Sequence, residues 1–338
     1  MSSNSQLTPA ERQLLIRKIT VEHDRYLEAV DGLSALHYPV KGGVPSVGTL
    51  SALFGDSRAG KTYAVTRYAR RFEPTVGEGG LVMPVLHVDM PMEGAGGARA
   101  ILEALAGALR VPFSLRMTNP ALINAVLNAL VDRRVELLML DEFEQVFREN
   151  DRRLIGFARG LLRKILDLGT LSVVCIGLQP TYGLLRQDSQ LLGRGGLPFL
   201  ELRPYNWDTI EEQRAFRLLC DNFDEHLPFN QKSRLGSQNV ASRLFWASGG
   251  HVGHLKVLLE AAANHAINEE SDSIELAHFA RVYEQRRSPS SGPFNPFTHD
   301  MTSAPKPQRR ASLKPGGTKQ QFGKTPPKRS SEGDFAYA

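Results

Sequence analysis

The run Leu50-Ser51-Ala52-Leu53-Phe54-Gly55-Asp56-Ser57-Arg58-Ala59-Gly60-Lys61-Thr62 carries most of the architectural information in this chain. An apolar segment of strand length, Leu50 to Phe54, feeds a loop bounded by Gly55 and Gly60, and helix-prone residues from Tyr63 to Arg71 follow. Two glycines allow a tight turn in which successive backbone N–H groups face phosphate oxygens, while Lys61 reaches the β- and γ-phosphates and Thr62 holds Mg²⁺. Gly55, Asp56, Ser57, Arg58, Ala59, Gly60, Lys61, Thr62 and Tyr63 are therefore the candidate ATP-binding residues. The plain alternative is an ordinary glycine-rich turn between a strand and a helix.

Four further strands fit around the first. Leu81 to Met90 has Val85, His87 and Asp89 alternating with Leu86, Val88 and Met90; Val135 to Glu142 is mostly apolar and ends on two acids; Leu171 to Leu178 and Leu197 to Leu202 complete the set. The intervening segments are of helix length, with Gly94 to Gly97 opening one helix and Asn119-Pro120 starting another. Strands separated by helices predict an α/β fold with a central, mostly parallel five-stranded sheet covered on both faces. At the end of the third of these strands Asp141 suits the Mg²⁺ shell and Glu142 suits activation of an attacking water. Two solvated acids capping a helix at Phe143 would be the alternative.

The flanks differ from this centre. Thr8-Pro9-Ala10-Glu11 is a helix start with a capping box, so residues 1–40 read as a helical lead-in to an α/β domain over 41–206. Residues 207–285 read as a small helical lid, with Gly249-Gly250 separating two of its helices. Residues 286–338 are rich in Pro, Ser, Gly and basic side chains and poor in aliphatic ones, a composition expected to stay disordered alone. From Gln285 onward there are ten cations and three acids, net +7, which leaves −2 for the rest of a chain whose formal charge is +5. The basic character thus belongs to the tail. Its two cysteines, Cys175 and Cys220, lie in apolar segments and show no metal-site spacing. No apolar run approaches the roughly 18 residues of a membrane span, and Met1 to Leu7 is polar, so a soluble, cytoplasmic protein with no membrane partner is expected.

Taken together, the P-loop, the strand ending Leu140-Asp141-Glu142, the run Ile176-Gly177-Leu178-Gln179-Pro180 and the segment Asp188-Ser189-Gln190-Leu191-Leu192-Gly193-Arg194 resemble the AAA+ transposition ATPases of the TniB/TnsC type. That resemblance implies that Gln179 senses the γ-phosphate and that Arg194 reaches the nucleotide of a neighbouring subunit. It also implies assembly on duplex DNA as a ring or filament, with phosphate contacts from the region of Arg99, Arg110, Arg116 and Thr118. The implied partners are a transposase and a target-selector protein. Where AAA+ proteins commonly carry an arginine in the lid, this chain has Gly249-Gly250-His251-Val252-Gly253-His254-Leu255-Lys256, leaving His254 or Lys256 as substitutes. In the tail, Phe294, Phe297 and Phe322 could anchor a partner. Two rival readings are a replication initiator or helicase loader, although the tail leaves no room for the winged-helix domain such initiators usually carry, and a nucleotide-dependent adaptor that does not hydrolyse.

Overall fold

The computed structural model describes residues 7–92, 97–147, 151–193, 197–286 and 293–303. Helix α1 (Pro9–Lys18) starts on the capping box: the Glu11 N–H donates to the Thr8 hydroxyl, and the Thr8 N–H donates to the Glu11 carboxylate at 2.8 Å. Helix α2 (Asp24–His37) follows after a short break.

Strand β1 (Leu50–Gly55) leads into α3 (Lys61–Ala69). A small antiparallel hairpin, β2 (Thr75–Gly77) with β3 (Gly80–Val82), precedes β4 (Val85–Asp89). The single strand expected over Leu81 to Met90 is divided. Gly80, at φ +99°, folds Leu81 and Val82 back onto Thr75 and Val76, and Pro84 interrupts the run before β4. Proline has no N–H to donate to a ladder.

After α4 (Gly97–Ala108) and α5 (Asn119–Asp132) comes β5 (Leu137–Asp141), then α6 (Arg152–Asp167), β6 (Ser172–Gly177), α7 (Gln179–Arg186), α8 (Ser189–Leu192) and β7 (Phe199–Leu202). The main sheet has the order β4-β5-β6-β1-β7, and every neighbouring pair is parallel. Strands β1, β5 and β6 are buried along their whole length, as central parallel strands covered on both faces must be. One face packs Leu53, Met139, Val174 and Ile176 against Val30 and Leu33 of α2 and Val65 and Tyr68 of α3. The other packs Val88, Leu138, Leu140 and Val173 against Leu102 and Leu105 of α4, Leu122 and Val126 of α5, and Leu162 and Ile165 of α6.

The C-terminal helices α9 (Ile210–His226), α10 (Gln238–Ser248), α11 (Val252–Asn268) and α12 (Leu276–Arg286) form a separate core. Ile16, Ile19 and Val21 belong to it, so α1 packs with the lid helices whereas α2 packs on the sheet. Phe297, although it falls in the tail, is 5% exposed and stacks on Phe279 with ring centroids 5.3 Å apart, and Phe294 meets Trp246 at 4.9 Å. Two aromatic rings that find apolar walls offset the poor aliphatic content of this short piece. The rest of the tail, including Phe322, lies outside the described residues. Cys175 and Cys220 are buried free thiols, and burial pushes both up, away from thiolate reactivity. Among the described residues, no helix is long and apolar enough to cross a membrane.

Candidate active site

The P-loop is shaped by close approach on one side and left-handed backbone on the other. A Cβ on Gly55 would lie 2.5 Å from the Leu202 carbonyl oxygen, so glycine is what allows β7 to pair there. Arg58 at φ +62° and Gly60 at φ +99° then swing the chain into α3. The helix starts on Gly60 without a side-chain cap, leaving its first N–H groups for an external acceptor. In front of Gly60 the nearest atom to a built Cβ is Leu202 Cδ2 at 4.0 Å. Lys61 Nζ donates to the carbonyls of Gly55 and Asp56, each at 2.9 Å. Burial pushes this ammonium below its ordinary range, against the pull of Glu144, Asp141, Glu142 and Asp56. A desolvated ammonium beside an uncapped helix start is a donor set that fits a polyphosphate.

Across the site, Asp141 closes β5 and is 1% exposed. Burial alone would raise its pKa, but hydrogen bonds from His87, the Glu142 N–H and Thr62 outweigh that and hold the carboxyl below its ordinary value. The Glu142 N–H donates to Asp141 Oδ1 at 2.8 Å, and His87 Nε2 lies 3.4 Å from Oδ2. Asp141 is therefore no solvated helix cap. Thr62, which helps hold the Asp141 carboxyl low, and Asp141 itself are an oxygen pair that could hold Mg²⁺. Glu142 is exposed, with φ +54° and its carboxylate accepting from Gln145 Nε2 at 3.1 Å. Left-handed backbone at a residue with a side chain carries strain of about 1–3 kcal/mol, and here it turns the acid outward beside the buried one. Gln179 opens α7 directly after β6 and is exposed, at the same edge of the sheet.

Three groups not anticipated from sequence join these. Glu144 accepts from the Leu178 N–H at 3.2 Å, and burial pushes its carboxyl above the usual range despite Lys61 nearby. His87 sits between Asp141 and Asp89. From the lid, His251 Nε2 lies 3.1 Å from Asp56 Oδ2, and the Gly253 N–H donates to the Arg58 carbonyl at 3.1 Å. Lys256 turns instead to the Arg17 carbonyl at 3.1 Å, and His254 Nδ1 lies 3.3 Å from the Ser248 carbonyl. Period-two alternation in β4 was the available signal for His87; nothing local marks Glu144 or His251. Beside α3, Thr20, Val21, Glu22, Tyr63, Arg67, Asn222 and His226 line a cavity of about 370 Å³.

Arg194 lies outside the described residues. The helix before it, α8, is held by Asp188, which accepts from the N–H groups of Gln190 and Leu191 at 3.1 Å and from Arg163 Nη2 at 2.7 Å. Of the four candidate DNA contacts, Arg110 and Arg116 lie in the loop between α4 and α5, Thr118 ends it and Arg99 belongs to the first turn of α4, in different roles. Arg99 is spent within the protein, on Glu103 at 2.8 Å, the Ser114 carbonyl at 3.0 Å and the Met117 carbonyl. Thr118 caps α5 by accepting from the Ala121 N–H at 3.4 Å. Arg110 and Arg116 are exposed.

A P-loop strand separated by one strand from the acid-bearing strand, in a five-stranded parallel sheet with a helical unit resting on the loop, is the architecture of AAA+ ATPases. It is shared with the Aeropyrum pernix ORC2 protein solved as ADPNP–ADP complexes, at TM-score 0.58 and 16% identity over 81% of this chain and 72% of that one. The Aeropyrum pernix ORC1 protein in complex with DNA matches at TM-score 0.58 and 19% identity, over 81% and 69% of the two chains. Drosophila ORC bound to DNA matches at 0.53 and 15%, over 85% and 68%. No curated protein matches this chain in sequence. The family model for the bacterial TniB protein matches residues 13–201, and the chain belongs to the TniB family.

Proposed function

We propose that this chain is an ATP-dependent regulator of DNA transposition, one that assembles on duplex DNA as a ring or helical filament and links a target-selector protein to the transposase. The observation that carries the reading is that the TniB match over 13–201 encloses a P-loop with Lys61, Thr62, Asp141 and Glu142 gathered at one edge of the sheet. Thr62 and Asp141 would hold Mg²⁺, which when bound neutralises charge on the β- and γ-phosphate oxygens. Lys61 would exchange its two carbonyl acceptors for phosphate oxygens. Glu142, exposed and ionisable, would take the proton of the attacking water, with Gln179 at the same edge to meet the γ-phosphate. The cavity beside Tyr63 and Val21 would receive the base of ATP.

Arg194 of a neighbouring subunit would complete the site, since a planar guanidinium suits charge developing on phosphoryl oxygens. Hydrolysis would then dismantle the assembly. The DNA bound in the Aeropyrum pernix ORC1 and Drosophila ORC structures supports a nucleic-acid partner for a chain of this fold. On this chain Arg110 and Arg116 are the exposed cations for phosphate contact, with Arg99 and Thr118 shaping their loop. A cytoplasmic location follows from the same role.

Sedimentation with duplex DNA tests the proposal. The wild type should co-sediment only with ATP, Lys61→Ala should stay free, and Glu142→Gln should stay assembled after the wild type has dispersed. A wild type that remains monomeric with both ATP and DNA overturns it. ATP turnover measured with and without DNA addresses the adaptor alternative, which absence of stimulated turnover would favour.

A further inference from the structure

We infer that His87, Asp89 and Asp141 form a second cation site, one that takes a borderline divalent transition metal of the Zn²⁺ or Co²⁺ class and fills without nucleotide. Strands β4 and β5 run parallel in a register that sets Asp89 opposite Asp141. The period of two along a strand then puts His87 on the same face as Asp89, so an imidazole and two carboxylates converge. His87 Nε2 lies 3.4 Å from Asp141 Oδ2 and 3.6 Å from Asp89 Oδ1. One ligand atom from each of the three residues falls within 4.8 Å of the others.

Those separations match a metal's needs. A tetrahedral ion with bonds of about 2.1 Å has ligand–ligand edges of about 3.4 Å, so the imidazole already stands at such an edge from both carboxylates. Only the two carboxylates have to draw closer. Asp89 is 75% exposed in its side chain, which provides the entry path and leaves a fourth position open to solvent, the arrangement of three-ligand sites.

The nitrogen ligand sets this site apart in chemistry from Mg²⁺ at Thr62 and Asp141. Mg²⁺ takes oxygen donors in near-ideal octahedral geometry, whereas imidazole suits Zn²⁺ and its neighbours. The two sites share Asp141, so filling one is coupled to the other. The inference does not rest on nucleotide hydrolysis, and its test uses none, so its failure leaves the proposed function untouched.

The test is a titration of the tag-free, metal-stripped full chain with Co²⁺, followed by visible absorption. One Co²⁺ per chain is expected, with the intense bands of a tetrahedral ion. His87→Gln and Asp89→Asn should each weaken binding by at least about tenfold, with melting temperatures of the metal-free variants showing that they fold. Asp89 is exposed, so its substitution keeps the test decisive should His87→Gln not fold. Absence of stoichiometric binding in the wild type, a weak octahedral spectrum like that of aqueous Co²⁺, or unchanged affinity in the variants overturns the site and leaves His87 as a hydrogen-bond partner of Asp141.

Discussion

At Gly253 a single absent Cβ sets how tightly the lid can rest on the phosphate loop. A Cβ there would meet the Arg58 carbonyl oxygen at 2.5 Å, and the obstacle is backbone, which cannot swing aside. Gly253→Ala is expected to cost about 1–3 kcal/mol through overpacking, read as a lower urea midpoint together with weaker ATP binding. His251→Ala removes a half-exposed pair with Asp56 and leaves the Gly253 contact in place, so a stability change of about 1 kcal/mol or less is expected. Glu142→Gln should retain nucleotide binding while lowering turnover by about 10²–10⁴-fold, the usual worth of a positioned base. Calorimetric ATP titration beside a phosphate-release assay separates those two quantities.

Among the elements, α2 and α8 each carry a hydrogen-bonded carboxylate at their start, and both can be probed. Asp24 opens α2, and burial alone would raise its pKa. Hydrogen bonds from His23, Tyr205 and the Arg25 N–H, with the Arg25 charge, bring it down from 3.8 to about 2. Because the folded value is the lower one, this carboxylate stabilises the fold above its unfolded pKa, and the contribution disappears as pH falls from about 4 towards 2. Urea midpoints across that window should fall more steeply for the wild type than for Asp24→Asn. Helix α8 depends on Asp188, whose side chain is 6% exposed and bonds both its own helix and Arg163 of α6. Asp188→Ala should cost about 1–3 kcal/mol by stripping the Arg163 bond and two N–H partners, and thermal unfolding reads it directly.

For the molecule as a whole, the legible part was whatever repeats locally. A continuous apolar strand feeding a glycine-bounded loop announces β1, the P-loop and α3, and the Thr8 capping box announces α1, because each depends on neighbours a few residues away. The five parallel strands follow from helix-length spacing. Residues 81–82 belong to the hairpin and not to one long strand because a two-glycine turn and a proline compete with apolar pattern, and only pairing settles which wins. Phe297 looked like tail because one aromatic among prolines says nothing of the wall formed by Phe279.

The sequence alone places Lys61 and Thr62 at a helix start after a glycine-bounded turn, and Asp141 at the end of a buried strand with Glu142 directly after it, since strand, turn and helix propensities act over short range. It could not tell which partners those residues meet. His87 reaches Asp141 because β4 and β5 share a register, His251 reaches Asp56 across 195 residues, and Arg99 of α4 spends its guanidinium on carbonyls of the loop that follows its helix. Such contacts are set by strand register, by the course of the α4–α5 connection and by how the C-terminal helical core rests on the loop after β1. That packing depends on summed apolar burial over the whole chain, which no local stretch encodes.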